Sequence, residues 1–177
     1  MNIRQLESFL RFIDAGGQWL FTIKQIRGYF PNEEINTLRH ALVRHVEAER
    51  IVRVCRGLYA FPLSRSRPLY ELESIIPFLR PGELTYISLE SRLHELDLIS
   101  QIPTRLTCMT SGRRAVFRTP FGSIEFNHTK RQPKLLLENL EFDDERDVYL
   151  ASQELALADL KRTGRNLDMV DYASSEQ

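Results

Sequence analysis

Cysteine is nearly absent from this chain: Cys55 and Cys108 are the only two in 177 residues. One stands in each half, so no disulfide framework is expected, and the pattern predicts a reduced, cytoplasmic location. Long apolar runs are missing as well; none approaches the ~20 residues that a membrane-spanning helix needs. There is no net charge, with 24 Lys and Arg against 24 Asp and Glu, which argues against indiscriminate binding to polyanions. Phosphate-loop, dinucleotide-binding and G-x-S-x-G signatures do not occur. The histidines His40, His45, His94 and His128 are not spaced as metal ligands, either with one another or with the cysteines. Glu125, His128 and Lys130 offer groups a nuclease would use. Glu125 and Lys130, however, fall on opposite faces of a strand, and no second carboxylate is close in sequence. No catalytic residue, cofactor or metal site is therefore expected.

The charge that does exist is unevenly spread. Residues 1–69 carry 11 Lys and Arg against 6 Asp and Glu, residues 70–142 carry 9 of each, and residues 143–177 carry 4 against 9. A basic first third supplies an electrostatic term for nucleic acid.

The stretch from Thr22 to Phe61 reads TIKQIRGYFPNEEINTLRHALVRHVEAERIVRVCRGLYAF. Thr22 and Gln25 stand at capping-box spacing and open a short helix. Pro31 ends it, and Asn32 is expected to cap the next. At about 100° per residue, Ile35, Leu38, Ala41, Leu42 and Val46 share one face of that second helix, and Asn36, Thr37, His40, Arg44 and Glu47 the other. Asn, Thr, His and Arg can address base edges or phosphates, whereas a merely solvated face would carry mostly Glu and Lys. Val52 to Phe61 then reads as a hairpin turning at Gly57, with Arg53 and Arg56 beside the turn. Two short helices followed by such a hairpin are the order of a winged helix-turn-helix. The expected DNA-binding residues are Asn36, Thr37, His40, Arg44, Arg53 and Arg56. The aromatics Phe9, Phe12, Trp19, Phe21, Tyr29 and Phe30 are expected in the core of this domain.

Pro62 to Pro68 has no apolar periodicity and reads as an extended linker, giving domains 1–63 and 64–177. Beyond it, helices are expected over Leu69–Leu79 and Ile87–Leu98. Strands follow at Arg105–Thr110, Ala115–Thr119 and Ser123–His128, then a late helix over Ser152–Lys161 ended by Gly164. The second region is thus an α+β domain with a small antiparallel sheet. Arg113, Arg114, Arg118, Lys130 and Arg131 form a second basic group around its hairpin. They are either charges that protect a sheet edge or a second surface for DNA or a partner.

TYISLESRLHELDLISQIP followed by RLTCMTSGRRAVFRTPFGSIEFNHTK resembles the C-terminal domain of the AbiEi-type antitoxins of type IV (abortive-infection, phage-defence) toxin–antitoxin systems. Arg56-Gly57-Leu58-Tyr59 is similar to that family's wing hairpin, and Tyr86 to Ser91 to the start of its central helix. Ala151 to Glu154, with Ala156 and Asp159, is similar to its late helix, although Gln153 stands where the family often has Pro. Glu49-Arg50 also departs from a Gly common there. The resemblance implies a repressor that binds repeats in its own promoter through the winged domain. It further implies that the second domain neutralises a nucleotidyltransferase-like toxin without a stable complex. The alternative is a winged-helix transcriptional regulator whose second domain senses a ligand or mediates dimerisation.

Overall fold

Asn2 and Gln5 begin the first helix with a reciprocal pair of bonds: Asn2 N–H donates to Gln5 Oε1 (2.7 Å) and Gln5 N–H to Asn2 Oδ1 (3.0 Å). Helix α1 (Ile3–Ala15) then buries Leu6, Phe9, Leu10 and Ile13 along one stripe. Thr22 and Gln25 repeat the device at the start of α2 (Ile23–Tyr29), with bonds of 2.8 and 3.2 Å. In each case two of the amides that a helix start leaves unpaired are satisfied.

The computed structural model describes residues 1–166, Asp168 and Val170, so the tail of the expected second domain lies outside the described residues. Two units are present. The first comprises Met1–Glu71 with Thr119–Phe121, the second Leu72–Arg118 with the chain from Gly122. The first unit takes in the segment read as a linker. Ser64 Oγ donates to the Asp14 carboxylate, and Ser66 donates to Asp14 through its backbone N–H (3.2 Å) and its hydroxyl (2.9 Å). Residues 62–66 are thereby held on the end of α1.

Within the first unit, β1 (Leu20–Thr22), α2, α3 (Ile35–Glu47), β2 (Val52–Cys55) and β3 (Leu58–Ala60) follow α1, with strand order β1-β3-β2. Both pairings are antiparallel, with Phe21 and Arg53 both opposite Tyr59. Strand β1 has only three residues and no alternation of its own to reveal it. Asn32 does not cap α3; it lies in the turn, and Glu34 occupies the cap position without a side-chain bond. Phe9, Phe21, Leu38, Ala41, Leu42 and Ile51 form the core, with Tyr29 and Phe30 packed against it. Phe12, expected inside, is 62% exposed, because it lies off the stripe through Leu6, Phe9 and Ile13.

The second unit is α+β, built on a six-stranded sheet ordered β6-β7-β5-β4-β9-β8. Its strands are β4 (Thr85–Ile87), β5 (Leu106–Thr110), β6 (Ala115–Thr119), β7 (Gly122–His128), β8 (Leu140–Asp143) and β9 (Val148–Ala151). The sheet is mixed, which corrects the antiparallel expectation: β5 runs parallel to β7, and β4 parallel to β9. Short helices α4 (Ile76–Leu79), α5 (Leu89–Glu95) and α6 (Pro133–Leu137) and the longer α7 (Gln153–Thr163) complete it. The helix expected over Leu69–Leu79 shrinks to a 3₁₀ turn at Glu73–Ile75 and α4, since Pro77 can sit only in a first helical turn. The helix expected from Ile87 starts later, because Thr85–Ile87 pairs with β5 as a strand. Ser152 caps α7, and Gly164 ends it at φ 66°, a conformation that favours glycine.

On one face of the sheet, Tyr86 and Met109 pack with Leu89 and Leu93 of α5 and Leu155, Ala156 and Leu160 of α7. On the other, the Arg80 guanidinium lies 4.5 Å from the Phe126 ring and 5.2 Å from Phe117. The outer strands differ in charge. Arg118 is exposed on β6, whereas β8 shows Glu141 and leads into exposed Asp144, Glu145 and Asp147.

His45, on the inner side of α3, is buried; Arg50 Nη1 approaches its Nδ1 at 3.4 Å, and its Nε2 has no hydrogen-bond partner among the described residues. Burial first, then Arg50 and Arg44, holds its pKa below the ordinary 6.5. The neutral ring is favoured by folding, so this contribution is complete above the unfolded value and is lost as pH falls below it. Acidification from pH 7.5 to about 5.5 should therefore lower the melting temperature of the first unit. The fluorescence of Trp19, the only tryptophan, reads that transition. In His45→Leu the shift should shrink; an undiminished shift would remove His45 as its cause.

Candidate functional site

Two groups of polar residues stand out, one on each unit. On α3, Leu38, Ala41, Leu42 and His45 turn inward, which leaves Asn36, Thr37, His40 and Arg44 exposed. Asn36, His40 and Arg44 are spaced by four, a row about 12 Å long at 1.5 Å per residue. Arg39, which the sequence reading left out, belongs beside them: its Nη1 donates to Asn36 Oδ1 at 3.1 Å. Spacing of three from Asn36 was the available signal. Arg53 and Arg56 are exposed on the β2–β3 hairpin, where Gly57 takes φ 81°. A bulge between Arg53 and Cys55 shifts the register there, and Arg53 Nε donates to Cys55 O at 3.4 Å. Among the described residues, none of Arg39, Arg44, Arg53 and Arg56 forms an ion pair, so their charges remain available.

The second basic group separates. Arg113, Arg118 and Lys130 are exposed, whereas half-buried Arg131 pairs with the fully buried Asp159 at 3.3 Å. Arg114, 70% exposed, approaches Glu125 Oε1 at 3.5 Å. His128 lies beside the sheet, where its Nδ1 donates to Gly112 O at 2.7 Å. Among the described residues, no group of three His, Cys, Asp or Glu side chains is placed to hold a metal ion.

A polar cluster that the sequence did not reveal lies in the second unit. Leu89 takes φ 58° where β4 passes into α5, a left-handed conformation that costs a non-glycine residue about 1–2 kcal/mol. The next residue, Glu90, is buried. Arg165, just past Gly164, links it to Glu125 of β7: Nε donates to Glu90 Oε1 (2.8 Å) and Nη1 to Glu125 Oε1 (2.6 Å). Arg105 Nη1 reaches Glu125 Oε2 at 3.4 Å. Burial works to raise the Glu125 pKa, but Arg165, Asn127 and Arg105 together hold it below the ordinary value. For Arg165, burial opposes the charge, and the two carboxylates more than offset it. Residues 75 and 40 positions apart meet here, so no local pattern could have disclosed the cluster.

Models of known protein families do not match this chain, and no curated protein is similar to it in sequence. No helix among the described residues is long and apolar enough to cross a membrane.

Removing Arg165 would strand two buried carboxylates without their shared cation. Arg165→Ala should cost the second unit about 2–3 kcal/mol, measured by urea denaturation. Adding Glu125→Gln to that variant should restore part of the loss. A neutral Arg165→Ala would show that the linkage contributes nothing to stability.

Proposed function

We propose that the first unit is a winged helix-turn-helix that binds double-stranded DNA. In this reading α2 and α3 are the helix pair and the β2–β3 hairpin is the wing. The observation that carries it is the exposed row Asn36, Thr37, His40 and Arg44 on α3, followed by exposed Arg53 and Arg56 on the hairpin. A helix face of this composition suits the major groove, and arginines at a hairpin tip suit the flanking phosphates. The surplus of 11 basic over 6 acidic side chains in residues 1–69 supports it.

With the resemblance to AbiEi-type antitoxins, the reading extends to a cytoplasmic antitoxin. It represses its own toxin–antitoxin operon and opposes a nucleotidyltransferase-like toxin through the second unit, by a surface and not by catalysis. A winged-helix regulator whose second unit senses a ligand is the other reading, and the cavity beside Glu90 favours it.

Arg44→Ala with Arg53→Ala should weaken binding to the chain's own promoter region roughly tenfold or more and reduce the salt slope by about 2. Both residues are exposed, so stability should stay within about 0.5 kcal/mol. A mobility-shift titration across salt concentrations decides; unchanged affinity and slope would sink the DNA-binding reading. Separately, residues 1–71 alone should bind the promoter yet fail to rescue cells from the toxin in co-expression growth assays. Rescue by that fragment would show that the second unit is dispensable.

A further inference from the structure

The second unit holds an open cavity of about 320 Å³ beside the Arg165 linkage. Three different chemistries line it. Glu90 supplies an unmet acceptor: its side chain is 8% exposed, Oε1 accepts from Arg165 and Asn166, and Oε2 has no partner among the described residues. A buried carboxylate oxygen left unpaired is unfavourable, so the position calls for an N–H or O–H donor. Arg105 supplies an unmet cation. It is 48% exposed and, among the described residues, its side chain makes only the 3.4 Å contact to Glu125, a carboxylate that Arg165 already serves at 2.6 Å. The remaining donors of its guanidinium fork are free for an anion. Ile99, Ile102 and Pro103 supply an apolar wall, and Ile102 is 79% exposed.

One class of small molecule carries a phosphate, several O–H and N–H donors and a flat ring. We propose that this cavity binds a nucleotide. Its phosphate lies on Arg105, a hydroxyl or ring N–H donates to the Glu90 carboxylate, and the base lies against Ile102 and Pro103. Ligand sites begin near 300 Å³, so the space suits one mononucleotide and not a polynucleotide. The local charge permits it: Arg105, Arg114 and Arg165 outnumber Glu90 and Glu125. The strained Leu89 fits the same role, because it fixes the backbone that aims Glu90.

The test is calorimetric titration of the full chain with AMP, GMP, CMP and UMP, and with adenosine and inorganic phosphate as the separate halves. At least one monophosphate should bind with one-to-one stoichiometry, tenfold or more tighter than adenosine or phosphate. Arg105→Ala and Ile102→Asp, both at exposed positions, should each weaken it about tenfold, and Ile102→Asp should do so without changing the melting temperature. Glu90→Gln should weaken it as well, and Arg118→Ala should leave it unchanged. The proposal is overturned if no nucleotide saturates by about 5 mM. It is equally overturned if phosphate alone binds as tightly, or if Arg105→Ala and Ile102→Asp bind normally. No DNA is present, so this outcome is independent of promoter binding.

Discussion

Asp159 is the constraint around which the second unit is organised. It sits on α7 with no exposure at all, and an isolated carboxylate in that position would be prohibitively unfavourable. Tyr86 Oη donates to it at 3.0 Å, Ser88 Oγ at 2.9 Å, and Arg131 pairs with it at 3.3 Å. Burial pushes its pKa up, against the pull of those same donors. Three separate parts of the chain are therefore committed to one point: the end of β4, the segment after β7, and α7. Removing any of the donors leaves a charge that the interior cannot solvate.

The polar cluster inherits its geometry from that commitment. With Ser88 fixed on Asp159, the turn into α5 is tight, and Leu89 takes the strained conformation that presents Glu90. With α7 fixed, Gly164 turns the chain so that Arg165 reaches both Glu90 and Glu125. Thr107 holds α5 to the sheet from the other side, donating to Ser88 O (2.8 Å) and accepting from Ser91 N–H (2.9 Å). Glu90 and Glu125 thus stand on elements of regular structure, α5 and β7, an arrangement suited to holding a site open and pre-formed.

What was legible in the sequence was local. The Thr22–Gln25 capping box, the inward stripe of α3, the turn at Gly57, the strands β5 to β7 and the Gly164 stop all follow from residues within one or two turns of each other. What was not legible depended on distant partners. β1 and β4 have three residues each and exist because β3, β5 and β9 supply their hydrogen bonds. Parallel pairing of β5 with β7 places Glu125 beside Thr107, a neighbour that alternation along a single strand cannot give. His45 was counted as neither core nor surface, yet it is buried. The exposed row on α3 could be read in advance because helical spacing alone determines it. The Arg165 linkage could not, because it closes loops of 40 and 75 residues.

The two ends of the six-stranded sheet differ in sign, and this limits the symmetry any self-assembly could adopt. A two-fold contact through β6, centred on Val116, would set Arg114 of one copy against Arg118 of the other. One through β8 would do the same with Glu141 and the acidic turn at Asp144 and Glu145. Like charges directly opposite one another across paired strands are destabilising. Isologous edge pairing, the usual route to a dimer through an open sheet, is thus disfavoured at both ends. Only an unlike edge is electrostatically welcome. A second copy could satisfy that condition only head to tail, a geometry that closes into a ring or runs on as a filament.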